Sequence, residues 1–325
     1  MKFFTTVEIA PLARKLGYEH KLMFVGSCFA ESLCKHLCDL KMTAAQNPFG
    51  VVYNPHSLAQ SLRRMGEKRL LVEDDLRREN GLWFSYTHHG RFAHHDKDEC
   101  LRLHNESVMR GSWALRTADF LVLTLGTAWA YRHKASGEVV ANCHKSPASE
   151  FERIFITPDE VTSLLCEAVS RVQRINPEVY TVITVSPVRH FKDGAHGSQL
   201  SKAALLLGVD EAVKRCTNTC YFPAYEIVMD ELRDYRFYAA DMLHPSDTAA
   251  DYVCERFEQA ALSDEAVQTM AEVRQLMAAM QHRPLHAQSQ EYRAFCELQL
   301  RKIAQLRQQW PHISWENEEQ FFAKN

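Results

Sequence analysis

A short apolar run, residues 22–25, stops at Gly26, and Ser27-Cys28 lead straight into a helical pattern carrying Glu31, Leu33, Leu37 and Leu40. A strand that turns sharply into a helix is the building unit of a parallel sheet. The unit recurs: FLVLTL (120–125) closes on Gly126, and YTVITV (180–185) closes on Ser186-Pro187. Helical patterns cover 29–42, 56–65, 98–116, 157–174, 198–215 and 246–259. Thr157 and Ser246 are the expected caps of the helices they precede, with Pro158 in the first turn. Short strands are expected at 42–45 and 220–222, a further one at 83–86 in an inserted hairpin, and a ribbon over 130–142 turning at Ser136-Gly137. This alternation predicts an α/β fold, a three-layer α/β/α sandwich around a mostly parallel, flavodoxin-like sheet. Ligands of such sheets sit beyond the carboxyl ends of the strands. Gly26-Ser27, Gly50, Gly126 and Ser186-Pro187 all fall there.

The pattern changes after about residue 260. Residues 267–280 and 292–310 are helical, with Pro284 between them. The expected organisation is an α/β domain over 1–260 and a helical hairpin within 261–325. Val267, Met270, Met277, Phe295, Ile303 and Leu306 supply its apolar positions, read first as packing on the body, with a lid or a homodimer contact as the other roles.

With 325 residues, 46% of them hydrophobic, the chain can bury a sizeable core. A net charge of −3 offers no basic footprint for nucleic acid. No window is apolar for long enough to span a bilayer, and MKFFTTVEIAPLARK lacks a signal-peptide pattern, so no membrane partner and a cytoplasmic location are expected. The ten cysteines show no CxxC; the closest pairs are Cys34/Cys38 and Cys216/Cys220. They read as reduced, small apolar side chains, with no metal and no cofactor implied.

Three groupings carry chemistry. A hydroxyl at a strand-to-helix turn sits beside unpaired backbone N–H groups, where developing negative charge is favoured. Ser27 is therefore a candidate nucleophile, and Cys28, next to it at a helix start, is its rival. A nucleophile needs a base, and the base needs an acceptor on its other ring nitrogen. Asp241 and His244, in DMLHPS, supply both from one short segment that Pro245 and Ser246 stiffen. The second grouping is SPVRH (186–190), where Arg189 and His190 are placed to bind an anionic or hydroxyl-rich group, a salt-bridged surface arginine being the plainer alternative. The third is His88, His89, His94 and His95 with Asp96 and Asp98. Adjacent residues on a strand point to opposite faces, so a solvated surface hairpin is expected there rather than a metal cage. Trp129 and Tyr131 are expected in core packing or a lid contact before a pocket wall.

The run GSCFA (26–30), followed by NPFGVVYNP (47–55), LGTAWAYRH (125–133), VANCHK (140–145), VSPVRHFKDGAHGSQLSKA (185–203) and YFPAYEIVMDELRDYRFYAADMLHPS (221–246), resembles the GSCFA-domain family over about residues 1–260. That family is in turn similar to the SGNH/GDSL hydrolases. The resemblance implies an SGNH-like esterase fold with Ser27 as nucleophile ahead of Cys28, His244 as base and Asp241 as its orienter. It leaves the C-terminal helices outside.

One departure matters. The SGNH pattern carries an asparagine that donates to the oxyanion; here the block reads Gly126-Thr127-Ala128-Trp129, with Ala128 in its place. Losing one such donor costs ~3 kcal/mol of transition-state stabilisation. The remaining donors are expected to be the backbone N–H groups of Ser27 and Gly50. Asn142 is the preferred substitute, with His144 and the Thr127 hydroxyl as the others. The function implied is a serine hydrolase cleaving a carboxylic ester, with a small-molecule or carbohydrate ester as substrate. Acyl transfer to a hydroxyl acceptor, or a non-catalytic binding protein on the same fold, are the alternatives.

Overall fold

The structure is a computed structural model describing residues 4–286 and 288–324. Five strands build the central sheet: β1 (Lys21–Gly26), β2 (Thr43–Gln46), β5 (Phe120–Leu125), β9 (Tyr180–Val185) and β10 (Thr219–Phe222). Their spatial order is β10-β9-β5-β1-β2, and every neighbouring pair is parallel. Chain order thus reverses direction between β1 and β5, the switch point at which open α/β sheets leave a crevice.

All six residues of both β5 and β9 are buried, as strands covered on two faces must be. On β1 the side chains alternate. Leu22 and Phe24 enter one apolar layer with Leu33 and Leu37 of α1 (Cys28–Asp39), while Met23 and Val25 enter the other. That second layer takes Leu58 and Leu62 of α2 (Pro55–Glu67), Leu115 of α3 (Lys97–Thr117), Leu165 of α4 (Pro158–Ile175) and Leu205 of α5 (Gly194–Arg215). The three-layer sandwich and its mostly parallel sheet are therefore as expected. Local chemistry sets the helix starts. Thr157 accepts from the Glu160 N–H while the Glu160 side chain takes the Thr157 N–H, and Ser246 caps α7 (Asp247–Ala261).

Over the carboxyl edge lie a hairpin, β3 (Arg77–Glu79) with β4 (Leu82–Phe84), and a three-stranded ribbon. The ribbon orders β7 (Val139–Val140), β6 (Trp129–His133) and β8 (Phe151–Phe155). The sequence does not mark β8. FERIF has no β-branched run, and pairing with β6 from Trp129↔Phe155 to His133↔Phe151 is what extends it.

Past a short turn, α6 (Ala224–Glu226), and α7, the chain forms α8 (Asp264–Gln281), α9 (Gln290–Gln309) and α10 (Glu316–Lys324). Helices α8 and α9 occupy the two stretches expected to be helical; α10, which packs against both, is additional. Nine residues make a marginal helix alone. Here Phe322 is buried and Lys41 Nζ meets Glu318 Oε1 at 2.7 Å. Val273, Ile303, Trp315 and Phe322 share the apolar layer of Leu12, Leu16 and Phe257. Among the described residues, no helix is long and apolar enough to cross a membrane.

Candidate active site

The β1–α1 turn is forced by Gly26. Its φ is +142°, and a Cβ there would run into the Thr124 carbonyl oxygen of β5. The Gly26 N–H donates to Asn47 Oδ1 at 2.8 Å. Ser27 follows with extended backbone and opens α1, yet its side chain does not reach forward to cap the helix. It turns back to the sheet instead. The hydroxyl lies 3.1 Å from Thr124 Oγ1, and the Ser27 N–H donates to Thr124 Oγ1 at 2.9 Å and to the Thr124 carbonyl at 3.0 Å. Ser27 is 0% exposed. Cys28, one residue on, is partly exposed. Burial pushes its thiol up; the Phe29 N–H, its own N–H and the positive charge of Lys202 pull the other way.

Asp241 and His244 form the expected pair. His244 Nδ1 lies 2.6 Å from Asp241 Oδ2, and Asp241 Oδ1 accepts the N–H groups of Leu243 (2.9 Å) and His244 (3.0 Å). Those two backbone donors, then the ring, hold the Asp241 carboxyl down at about 2. With Met242 in the left-handed region (φ +59°) and the Ala239 N–H donating to the His244 carbonyl at 2.8 Å, the segment is a closed turn. No described residue hydrogen-bonds to His244 Nε2.

The two ends of the sheet crevice are linked. The Arg189 N–H donates to the Leu243 carbonyl at 3.1 Å, docking the segment after β9 on the Asp241–His244 turn. His190 follows, its ring 5.6 Å from that of Tyr53, and a Cβ on Gly126 would stand 3.3 Å from its Nε2. Burial, then the charges of Lys202 and His244, lower His190 to about 4, so it is a neutral imidazole. Lys202 of α5 is 2% exposed and donates to the carbonyls of Gly126 (2.8 Å) and Ser186 (2.6 Å), tying the ends of β5 and β9 together. Burial lowers its amine to about 7, with Arg189 adding to the shift and Cys28 opposing it. Arg189 Nε, His190 Nε2 and Ser198 Oγ are buried with no hydrogen-bond partner among the described residues.

Several expected donors are engaged elsewhere. Besides Ser27, the Gly50 N–H donates to the Asn47 carbonyl at 2.7 Å. Gly50 itself is required by a φ of +80° and by His89, whose Cβ fills the space a side chain would need. The Thr127 hydroxyl pairs with Ser201 Oγ at 3.0 Å, and Ser201 Oγ also accepts the Ala128 N–H at 2.7 Å. Helix α5 thus takes up the Thr127 hydroxyl and the Ala128 N–H, and Ala128 itself is buried. Asn142 Oδ1 accepts the His144 N–H at 2.8 Å, with no hydrogen bond joining Asn142 to Ser27. His144 stacks on Phe84 at 4.3 Å, and its Nε2 lies 2.9 Å and 3.0 Å from the His88 and Ser85 carbonyls. Burial brings it to about 4.

The histidine hairpin is corrected in one respect. His95 is exposed and His94 half-buried, whereas His88 is fully buried, stacked on Phe49 at 4.0 Å with Nε2 2.9 Å from Ser107 Oγ. Trp129 donates from Nε1 to the Gly197 carbonyl, and the Arg153 guanidinium lies over both the Trp129 and Tyr131 rings. All ten cysteines are free. Among the described residues, no three metal-ligating side chains converge.

Lys202, Tyr53 and Thr124 are the residues that sequence reasoning missed. Lys202 left one usable signal: it stands on the face of α5 that carries Ser198, Leu205 and Val209, where a lysine is out of place.

Two family models match the chain. The GSCFA family covers residues 21–257, and the GSCFA domain protein, C-terminal domain, covers residues 273–325. The second takes in the helices that the sequence resemblance left out. Comparison with curated proteins gives no match. Among solved structures, an acetyl xylan esterase (Est2A) from Butyrivibrio proteoclasticus aligns at 11% identity and TM-score 0.38 over 75% of this chain; the alignment spans 64% of the esterase. A carbohydrate esterase family 3 protein from Talaromyces cellulolyticus aligns at 6% identity and TM-score 0.35 over 78% of this chain and 99% of its own. Alignments that loose carry no weight for chemistry. The family match, over most of the chain, does carry weight: this protein belongs to the GSCFA family.

Proposed function

We propose that the protein hydrolyses a carboxylic ester at the carboxyl edge of its sheet, with His244 as general base and Asp241 as its orienter. The observation that carries this reading is the Asp241–His244 pair. Its carboxylate is fixed by two backbone donors, its imidazole is bonded at Nδ1, and Nε2 is left unclaimed. A base so arranged takes a proton from a nucleophile, and the carboxylate stabilises the imidazolium that results. The nucleophile comes from the β1–α1 turn, and the acyl group is passed from it to water.

A hydroxyl-rich alcohol, such as an acylated carbohydrate, is supported by Arg189 Nε and His190 Nε2, two buried polar atoms without partners beside the crevice. Such atoms are costly unless a ligand or water meets them. Transfer to a hydroxyl acceptor uses the same groups and differs only in what receives the acyl group. One observation favours the non-catalytic alternative: the Ser27 and Gly50 N–H groups are both spent within the protein.

The test is turnover of p-nitrophenyl acetate and of peracetylated sugars by the wild-type protein and by His244→Ala. Hydrolysis above buffer that falls by about 10²-fold or more in the variant is expected. A wild-type protein that turns over none of these esters overturns the reading.

A further inference from the structure

We propose that Cys28, not Ser27, is the nucleophile of this site, with Ser27 serving as a structural tie between β1 and β5. The proposal rests on the hydrolase reading above and deepens it.

Ser27 is poorly placed to attack anything. It has no exposed surface, and its hydroxyl packs against Thr124 Oγ1 inside the sheet. Cys28 is the partly exposed residue of the turn, and the turn stands beside the 52–53 segment, where the Val52 N–H donates to the Gly26 carbonyl at 2.9 Å and the Tyr53 carbonyl accepts the Gly126 N–H at 2.8 Å; the charge of Lys202 acts on the thiol. Lys202 in turn holds the Gly126 and Ser186 carbonyls, and Gly126 abuts His190, next to the segment docked on the Asp241–His244 turn. The turn that carries Cys28, the Tyr53–His190 pair and the Asp241–His244 turn are thus joined contact by contact along one edge of the sheet, through Val52 N–H on the Gly26 carbonyl, Gly126 N–H on the Tyr53 carbonyl and Arg189 N–H on the Leu243 carbonyl. Ser198 Oγ, 2% exposed and without a partner, stands one turn before Lys202 on the same face of α5.

The same turn supplies the missing oxyanion donors. Because Ser27 does not cap α1, no hydrogen bond from the first-turn N–H groups of Cys28 and Phe29 is found among the described residues, and both groups favour negative charge on the Cys28 sulfur. As the sulfur bonds to a carbonyl carbon, those two N–H groups are left facing the oxygen that gains charge.

The step balances without a co-reactant beyond water. His244 Nε2 takes the thiol proton as Sγ adds to the ester carbonyl and the C–S bond forms. The tetrahedral intermediate collapses, the ester C–O bond breaks, and His244 returns that proton to the leaving alkoxide. Water then adds to the thioester, giving its proton to His244. The C–S bond breaks, and the thiolate recovers the proton. Since burial keeps the resting thiol protonated, proton removal and attack proceed together.

The experiment is acid-quench mass spectrometry of the full chain after p-nitrophenyl acetate, with the acetyl group mapped by fragmentation, alongside kinetics of Cys28→Ala, Cys28→Ser and Ser27→Ala. The expected result is an acetyl group on Cys28, removed by neutral hydroxylamine, and turnover reduced about 100-fold or more in Cys28→Ala. Cys28→Ser, which nearly preserves volume, loses the hydroxylamine-sensitive adduct while keeping the wild-type circular dichroism spectrum. In Ser27→Ala the adduct still maps to Cys28. An adduct on Ser27 overturns the proposal and leaves the hydrolase reading standing. So does a Cys28→Ala protein that keeps more than half the wild-type rate while His244→Ala is inactive. Absence of both turnover and adduct in the wild-type protein sinks the two together.

Discussion

Thr124 Oγ1 accepts the Ser27 N–H at 2.9 Å and lies 3.1 Å from the Ser27 hydroxyl, so one buried threonine meets both the N–H and the hydroxyl of the residue that opens α1. Removing that partner strands a hydroxyl with no water to turn to. Thr124→Val is expected to destabilise the protein by about 1–3 kcal/mol. Ser27→Ala in the Thr124→Val background recovers part of the loss, because replacing both partners removes the unpaired group. Urea unfolding of the two single variants and the double variant measures this. Strictly additive losses count against the tie.

Asp241→Asn keeps the size of the side chain and its backbone acceptor oxygen but removes the charge that faces His244 Nδ1. The ring then loses both its preferred tautomer and its stabilisation as a cation. The expected outcome is a fall in kcat of about 10³-fold with KM changed little. A variant with near wild-type kcat on p-nitrophenyl acetate removes Asp241 from the mechanism.

Gly26 is constrained twice, by its φ of +142° and by the Thr124 carbonyl. Gly26→Ala is expected to cost about 3 kcal/mol or more, and to abolish turnover by moving the turn that carries Cys28. The melting temperature reports it. A shift of less than about 2 °C speaks against this backbone account.

Burial holds His88 well below its ordinary value, and His144 and His190 at about 4. In the unfolded chain the same rings titrate near ~6.5. Between those limits the unfolded state binds more protons, so the stability these rings contribute is complete above about pH 6.5 and is lost as pH falls toward about 4. Each ring adds a slope of up to about 1.4 kcal/mol per pH unit. Urea midpoints at pH 7, 6 and 5 are expected to fall steadily. A flat profile means the rings are protonated in the native state.

The sequence made the sheet legible for a simple reason. FLVLTL and YTVITV are buried on both faces, and short apolar runs rich in Val, Ile and Thr and closed by Gly126 or Pro187 are the pattern of a covered strand. Asp241 and His244 were equally readable, since they stand three positions apart and one turn joins them. Contacts between distant segments were not. The direction of the Ser27 side chain follows from the turn at Gly26 and from Thr124, ninety-seven residues on. The His88–His89 pair suggested strand alternation, but a helical turn at Gly90–Phe92 follows, and Phe49 and Ser107 enclose His88. Lys202 breaks the apolar face of α5, but the partners of its amine are the ends of β5 and β9, brought to it from 76 and 16 residues away.

The C-terminal helices reach back to the beginning of the chain. His312 Nε2 lies 2.9 Å from the Tyr18 carbonyl, the Tyr18 and Trp310 rings are 5.5 Å apart, and Lys41 pairs with Glu318. One flank of the sandwich thus stays open during synthesis until residues 310–322 have left the ribosome. A nascent chain stopped near residue 261 would lack the cover that Trp310 gives Tyr18, which makes that flank the place where a chaperone has most to protect.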